Sequence, residues 1–184
     1  ATTLVEVEDL YRPYRPKRRT RATIAKEKGL EPLAELIFTE ALDKPAEEAG
    51  AEYVREAEDA TLSVKTAKEA VEGALDIIAE QISDDADYRR YIREITMEEG
   101  KIVSTAKEAK TESVYEMYYE FEEPLNKLPG HRILALNRGE DEKILTVKVS
   151  APEERILQFL RTKIIVKKNE FTDELLAFAA EDAY

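Results

Sequence analysis

The sequence contains no cysteine and a single histidine, His131. Without thiols the chain can form no disulfide, no thiolate metal site and no cysteine nucleophile. One histidine also excludes a histidine-rich zinc site, and a Ser–His–Asp triad could form only through His131. We therefore expect a protein that is not an enzyme, with no catalytic residues, no bound metal and no cofactor.

Glycine, proline and long apolar runs are also scarce. Six glycines and seven prolines in 184 residues disfavour a disordered low-complexity chain and a loop-rich all-β sandwich. No apolar run approaches the roughly 20 residues of a membrane span, and Ala1–Asp9 lacks the apolar core of a signal peptide. With 43% apolar and 37% charged residues, the chain is expected to be globular and cytoplasmic, with no membrane partner.

Apolar residues recur at helical spacing along most of the chain, which predicts a mainly α, multi-helical fold. The clearest helix is Thr66–Ser83. Thr20 is expected to cap a helix over Arg21–Lys28, and Gly29 to end it. With a second helix over Glu31–Leu42, this makes a helix pair resembling a helix-turn-helix (HTH). Further helices are predicted at 4–11, 45–51, between Asp84 and Gly100, at 112–126, at 152–162 and from about 171 onward.

The strongest strand pattern lies in the second half of the sequence. Arg132–Arg138 and Lys143–Val149 are rich in Ile, Leu and Val, and they flank Gly139–Glu142, a suitable loop. We therefore predict one β-hairpin over about 132–149. The apolar piece Lys101–Ala106 is ambiguous between helix and strand.

These patterns suggest four successive segments, which would pack as one or two units. They are a basic connector with the HTH-like helices (1–45), a helical body (46–130), the hairpin (131–150) and C-terminal helices (151–184). The chain begins with Ala rather than Met, and its last apolar pattern has no stop signal, so we expect part of a larger protein. Apolar residues that face other domains would then be exposed. The candidates are Leu4, Val5, Phe178, Ala179 and Tyr184.

Charge is distributed very unevenly. Tyr11–Gly29 contains eight basic residues and one acidic residue, Glu27, so this window carries a net charge of +7. Since the whole chain carries −12, the other 165 residues carry −19. A basic segment on an acidic body is the main functional signal in the sequence.

The basic segment is the first candidate site, for non-specific contacts with the phosphates of RNA or DNA. Tyr11 and Tyr14 are available to stack on bases. The predicted contact residues are Arg12, Arg15, Lys17, Arg18, Arg19, Arg21, Lys26 and Lys28, with Arg138 at the predicted hairpin tip as a further candidate. The alternative is that these cations form salt bridges with acidic helices of their own chain, for which carboxylates are plentiful.

Other candidate sites are weaker. A recognition helix at Glu31–Leu42 would be acidic and hence a poor reader of the major groove. His131 with scattered carboxylates such as Glu122 and Asp141 does not make a catalytic or metal site. The acidic pair Asp84–Asp85 is typical of a helix cap.

Two long motifs resemble the Tex family of bacterial transcription accessory proteins. The first is Glu8–Ala34, with the sequence EDLYRPYRPKRRTRATIAKEKGLEPLA. The second joins Glu112–Leu128 to His131–Glu140, which ends in HRILALNRGE. The two motifs occur about 100 residues apart, in the same order as in the family.

The resemblance implies a function for the whole chain. Tex proteins are cytoplasmic, multi-domain and nucleic-acid-binding, with a helical N-terminal half. This chain would be a non-catalytic helical scaffold from that half. Its parent would bind nucleic acid mostly through other domains and would work with the transcription machinery. The alternative is a protein–protein interaction adaptor with an acidic surface and no nucleic-acid role.

Overall fold

The computed structural model describes residues 3–108 and 112–184. Across them, helices form at α1 (Leu4–Tyr11), α2 (Arg21–Glu27), α3 (Glu31–Phe38), α4 (Ala46–Ala51), α5 (Ala67–Asp84), α6 (Ala86–Glu99), α7 (Gly130–Asp141), α8 (Glu153–Ile164) and α9 (Asp173–Ala183). Strands form at β1 (Lys101–Ala106), β2 (Glu120–Pro124) and β3 (Leu145–Ser150). The predicted mainly α class is confirmed, and every helix except α7 begins and ends within about one turn of its predicted bounds.

The chain divides into two compact units. The first comprises Ala1–Arg89 and Leu157–Tyr184, and the second comprises Arg90–Ile156. The end of the chain therefore belongs to the same unit as its beginning.

α5 is the centre of the first unit, and α2, α3, α4 and α9 pack against it. Its apolar positions are buried at the predicted helical spacing, as at Ala70, Ala74 and Ile78. Gly73 lets Leu30 approach closely, because a Cβ at Gly73 would lie 2.5 Å from the Cδ1 atom of Leu30. Leu30 is fully buried, and burial of a leucine side chain contributes about 1.5–3 kcal/mol.

α2 has the predicted caps at both ends, and α5 is capped by a threonine side chain at its start. The side chain of Thr20 accepts a hydrogen bond from the backbone N–H of Thr23 at 3.1 Å. Thr66 does the same for Glu69 at 3.1 Å. Gly29 follows α2 with a φ of 77°, in the left-handed region that glycine adopts without strain. α2 and α3 thus form the expected short helix pair.

Apolar side chains at both ends of the first unit are exposed, as the sequence predicts for four of five residues. Leu4, Val5, Phe178 and Tyr184 are exposed. Ala179 is buried, so the prediction is wrong there, because α9 packs against α5 with Ala179 on its buried face.

In the described part of the second unit, three antiparallel strands are arranged in the order β2–β1–β3. Val103 of β1 lies opposite Glu122 of β2 and Lys148 of β3. α7 packs against β3. A hydrophobic cluster forms there from Tyr115, Tyr118, Leu136 and Leu145.

The hairpin predicted over 132–149 is wrong in its first arm. Residues 130–141 form α7, which begins after Pro129, and the carbonyl oxygen of Pro129 accepts a hydrogen bond from the backbone N–H of Arg132 at 3.0 Å. A short apolar run does not distinguish a strand from a helix. Only the second arm, β3, is extended, and its partner is β1, the piece that the sequence left ambiguous.

The helix predicted at 112–126 is also wrong. The described residues there form a 3₁₀ turn at Glu116–Tyr118, the strand β2 and a 3₁₀ turn at Leu125–Lys127. The register pairs Phe121 with Ser104 of β1. This tertiary pairing overrides the local helical spacing of the aromatic residues.

Candidate nucleic-acid interface

The basic segment begins as a 3₁₀ turn at Arg12–Tyr14 and continues without regular structure to Thr20, where α2 begins. Pro13 lies in the first turn of the 3₁₀ helix, and Pro16 fixes its own φ in the stretch that follows. An open groove of about 940 Å³ lies beside this segment, and its lining includes Arg15, Arg18 and the face of α5 that carries Glu80.

That face of α5 carries a row of carboxylates, which we call the acidic ridge: Glu69, Asp76, Glu80 and Asp84. Asp76, Glu80 and Asp84 are four residues apart and hence lie on one side of the helix. Glu69 lies two turns before Asp76 on nearly the same side. The ridge follows the helix over most of its length.

Asp84 receives two cations from the start of the basic segment. Arg12 donates a hydrogen bond from Nε to Oδ1 of Asp84 at 3.0 Å, and the ammonium of Lys17 contacts Oδ2. Lys17 Nζ also lies 3.7 Å from Oε1 of Glu80. The side chain of Asp84 is only 12% exposed, so both cations are neutralised in a partly desolvated contact.

Arg21 bridges two helices at the other end of the groove. Its terminal nitrogens lie 3.3 Å from Oδ1 of Asp76 on α5 and 2.8 Å from Oδ2 of Asp182 on α9. Burial raises the pKa of Asp76 above its ordinary value; the charge of Arg21 opposes this rise and that of Asp182 adds to it.

Two further cations are paired near α2. Lys28 donates a hydrogen bond to Glu69 at 2.5 Å, and this contact lowers the pKa of Glu69, with a smaller contribution from the backbone N–H of Lys65. Arg19 contacts Glu27 at 2.7 Å. Along the chain, residues 12, 17, 21 and 28 meet residues 84, 80, 76 and 69, so the basic segment runs antiparallel to the acidic ridge.

Three predicted contact residues remain open to solvent. Arg15, Arg18 and Lys26 are exposed, and the described residues contain no ion pair to any of them. Close to Arg15 and Arg18 in sequence, Tyr14 is 81% exposed and Tyr11 is 54% exposed. The structure therefore leaves Arg15 and Arg18 near two accessible aromatic rings, whereas Lys26 lies further along, in the last turn of α2.

Arg138 belongs to the second unit, whereas the other eight predicted contact residues belong to the first. It lies in the last turn of α7 rather than at a hairpin tip, which corrects its predicted position. Its side chain is exposed, and no ion pair to it occurs in the described residues.

The residues that sequence reasoning missed are the acceptors of the acidic ridge. Asp84 and Asp85 were both expected to cap a helix, but in the structure only Asp85 does so. Asp85 caps α6 by accepting hydrogen bonds from the backbone N–H groups of Asp87 and Tyr88, both at 2.9 Å, whereas Asp84 pairs with the basic segment. The four-residue spacing of acids on α5, opposite a basic segment of similar length, is the signal that could have identified the pairing.

His131 is exposed in the first turn of α7. Within residues 3–108 and 112–184, no three histidine, aspartate or glutamate side chains are grouped so that they could hold a metal ion. In that same part of the chain, no helix is both long and apolar enough to cross a membrane.

Comparison with known proteins finds one matching family model and several sequence relatives. Residues 41–179 match the family model described as Tex central region-like. The chain is 48% identical over 184 residues to the uncharacterized protein YdcI of Bacillus subtilis, an alignment that covers 98% of this chain and 25% of that protein. It is 38% identical over 144 residues to the transcriptional accessory protein Tex of Neisseria gonorrhoeae, covering 77% of this chain and 18% of that protein.

A human relative, S1 RNA-binding domain-containing protein 1, is 29% identical over 157 residues, covering 80% of this chain and 15% of that protein. The chain thus spans a quarter or less of the length of these relatives. Because the family model matches well over half of the chain, the protein belongs to the Tex family of transcription accessory proteins.

Proposed function

We propose that this chain is a non-catalytic helical scaffold segment of a Tex-type protein, and that its basic segment adds a weak, non-specific contact to nucleic acid. The contact uses Arg15, Arg18 and Lys26, with Tyr11 and Tyr14 stacking on unpaired bases. The observation that carries this proposal is that these three cations are exposed without a carboxylate partner in the described chain.

The balance of charge favours a weak contact over a strong one. Five of the eight cations in the segment are paired with carboxylates of the first unit. A phosphate backbone must therefore be bound mainly by the remaining three, while the acidic body repels it. Each phosphate contact releases condensed counterions, so binding depends steeply on salt concentration.

The names of the relatives support an association with nucleic acid. One is named a transcriptional accessory protein and another an S1 RNA-binding domain-containing protein. Since the chain covers only 15–25% of these proteins, most of the binding belongs to other parts of the parent, which also contact the transcription machinery. A cytoplasmic location is part of the proposal, in keeping with a cysteine-free chain.

Fluorescence anisotropy with labelled single- and double-stranded oligonucleotides tests the contact. We expect binding at low salt that weakens at moderate salt. A plot of log K against log salt has a negative slope. The triple variant Arg15→Gln/Arg18→Gln/Lys26→Gln should make this slope shallower by about 2 for single strands, since each lost contact removes roughly 0.7.

The matched control is Lys127→Gln/Lys167→Gln/Lys168→Gln, which removes the same charge from exposed lysines outside the basic segment. Its slope should stay close to that of the unaltered chain. Equal effects of the two triple variants would show a dependence on net charge alone and would reject the assigned contact.

A protein–protein adaptor is the second candidate function. It is favoured by the internal neutralisation of the basic segment and by the exposed apolar residues of α1, among them Leu4, Val7 and Leu10. In this case the oligonucleotides should not bind even at low salt, while the fold remains intact by circular dichroism.

A further inference from the structure

β3 is an edge strand of the sheet in the second unit, since the strand order is β2–β1–β3. The backbone N–H of Lys107 donates to the carbonyl of Ile144 at 2.9 Å, which fixes the residues that face β1. Because alternate residues of a strand direct their N–H and C=O groups to opposite sides, Thr146 and Lys148 face β1. The main-chain groups of Val147 and Val149 therefore point away from the sheet.

This outer edge is open. Val149 is 55% exposed, Lys148 and Ser150 are exposed, and Val147 is half-buried. Among the described residues, no hydrogen bond outside the β1–β3 ladder reaches the main chain of Val147 or Val149. An edge with free N–H and C=O groups is a template for another strand.

By comparison, the opposite edge of the sheet, formed by β2, is protected against the addition of another strand. The backbone N–H of Ala106 donates to the carbonyl of Tyr119 at 3.0 Å, so Glu120, Glu122 and Pro124 of β2 point outward. Proline has no N–H to offer, and the two glutamates bring like charge to that edge. Strand addition at this sheet is therefore favoured at β3.

Lys148 determines which kind of strand fits. Its ammonium has no ion pair in the described residues. In an antiparallel pair, residues directly opposite each other share a face, so an acidic residue opposite Lys148 would gain an attractive cross-strand contact. Two copies of β3 that paired about Lys148 would instead place the two ammoniums side by side.

We propose that the β3 edge binds an extended segment of a partner protein as an added strand. The segment carries an acidic residue opposite Lys148, flanked by apolar residues opposite Val147 and Val149. Main-chain hydrogen bonds supply the affinity and the alternating side chains supply the specificity. This site is distinct from the nucleic-acid contact, so either proposal can fail without the other.

The first experiment titrates the ¹⁵N-labelled 184-residue chain with the capped peptide Thr-Val-Glu-Val-Thr. The amide signals of Val147 and Val149 should shift, and their exchange with solvent should slow, because their N–H groups become hydrogen-bonded. Thr146 and Lys148 should change less, since their N–H groups already bond to β1.

The Val149→Pro variant removes one outward N–H and leaves the ladder with β1 intact, a substitution that edge strands tolerate. It should weaken peptide binding by about fivefold or more, the equivalent of one lost hydrogen bond. Val149→Thr keeps the N–H and the β-branched shape, so it should bind as the unaltered chain does. Cross-strand contacts between β1 and β3 in the NMR spectra report that each variant is folded.

A charge exchange tests the role of Lys148. Lys148→Glu should weaken binding of the glutamate peptide about two- to fivefold, and the peptide Thr-Val-Lys-Val-Thr should restore it. Three outcomes would overturn the proposal: no shift at Val147 and Val149 up to millimolar peptide, equal binding by Val149→Pro, or shifts that depend on protein concentration without peptide. The last outcome would assign the edge to a second copy of this chain.

Discussion

Arg89 donates a hydrogen bond from Nε to Oδ1 of Asp9 at 2.8 Å, joining the start of α6 to the buried side of α1. Asp9 is 5% exposed, whereas Leu4, Val7 and Leu10 on the same helix are exposed. α1 thus buries one of its three acidic residues, whereas these apolar residues lie outside. This contact, more than apolar burial, holds α1 in place.

Replacing Arg89 should therefore loosen α1 without unfolding the first unit. A hydrogen bond to a charged group contributes about 1.5–3 kcal/mol, so in Arg89→Ala we expect amide exchange over residues 7–11 to accelerate roughly ten- to hundredfold. Hydrogen exchange read by mass spectrometry measures this. Lys26→Ala, which removes an exposed cation from α2, is the control, and acceleration spread equally over α5 would contradict the assignment.

Gly50 allows α4 to lie close to α5. A Cβ at Gly50 would be 2.7 Å from the carbonyl oxygen of Ala67 and 3.1 Å from a methyl group of Val71. Gly50→Ala should lower the free energy of unfolding by about 1–3 kcal/mol, because backbone must move to relieve the overlap. Urea denaturation measures the change. Gly130→Ala has no atom within 4 Å of the new Cβ and should not destabilise the chain.

Two carboxylates of α5 should have pKa values that are shifted in opposite directions from their ordinary values. The pKa of Glu69 is lowered from 4.5 by Lys28, so its contribution to stability is present above that value and is lost as the pH falls through the lowered pKa. The pKa of Asp76 is raised from 3.8 by burial, so ionisation of Asp76 disfavours the folded state as the pH rises through that range. Side-chain NMR titration should give an apparent pKa below 4.5 for Glu69 and above 3.8 for Asp76.

The helices of the first unit could be predicted because their signals are local. The apolar spacing on α5, the cap at Thr20 and the glycine after α2 each act within a few residues. The second unit has its secondary structure determined by partners that are distant in sequence. β1 is the central strand because it pairs with both β2 and β3. In α7, Ile133 and Leu134 are exposed. The apolar residues of α7 therefore do not indicate which face of the helix is buried.

In the candidate site, too, local features could be predicted from the sequence and long-range contacts could not. The cations were evident from the sequence, as was the possibility that they pair with the chain's own acids. Which of them pair could not be predicted, because this depends on the antiparallel course of the basic segment along α5. The contact between Arg12 and Asp84 spans 72 residues.

Tyr14 should separate single-strand from double-strand binding. Its ring is exposed beside Arg15, and stacking on an unpaired base contributes about 1–3 kcal/mol. Tyr14→Ala should therefore weaken single-strand binding by roughly five- to hundredfold and leave duplex binding nearly unchanged, because duplex bases are already stacked. Tyr53→Ala serves as an aromatic control outside the basic segment, and an equal loss with both oligonucleotides would reject stacking.

Neutralising Asp84 should strengthen nucleic-acid binding. In the folded chain this carboxylate accepts contacts from Arg12 and Lys17, which withholds both cations from phosphate. Asp84→Asn keeps the size of the side chain but removes its charge, so both cations become available and the slope of log K against log salt should steepen by up to about 1.4 for single strands.

The matched control for Asp84→Asn is Glu47→Gln, which removes the same charge from an exposed position on α4. It should change affinity only through net charge and leave the salt slope unaltered. If Asp84→Asn and Glu47→Gln behave alike in the anisotropy titrations, Arg12 and Lys17 stay with the acidic ridge even when Asp84 is neutral. The ridge would then hold the basic segment through Glu80 and its other carboxylates, and the phosphate contact would be limited to Arg15, Arg18 and Lys26.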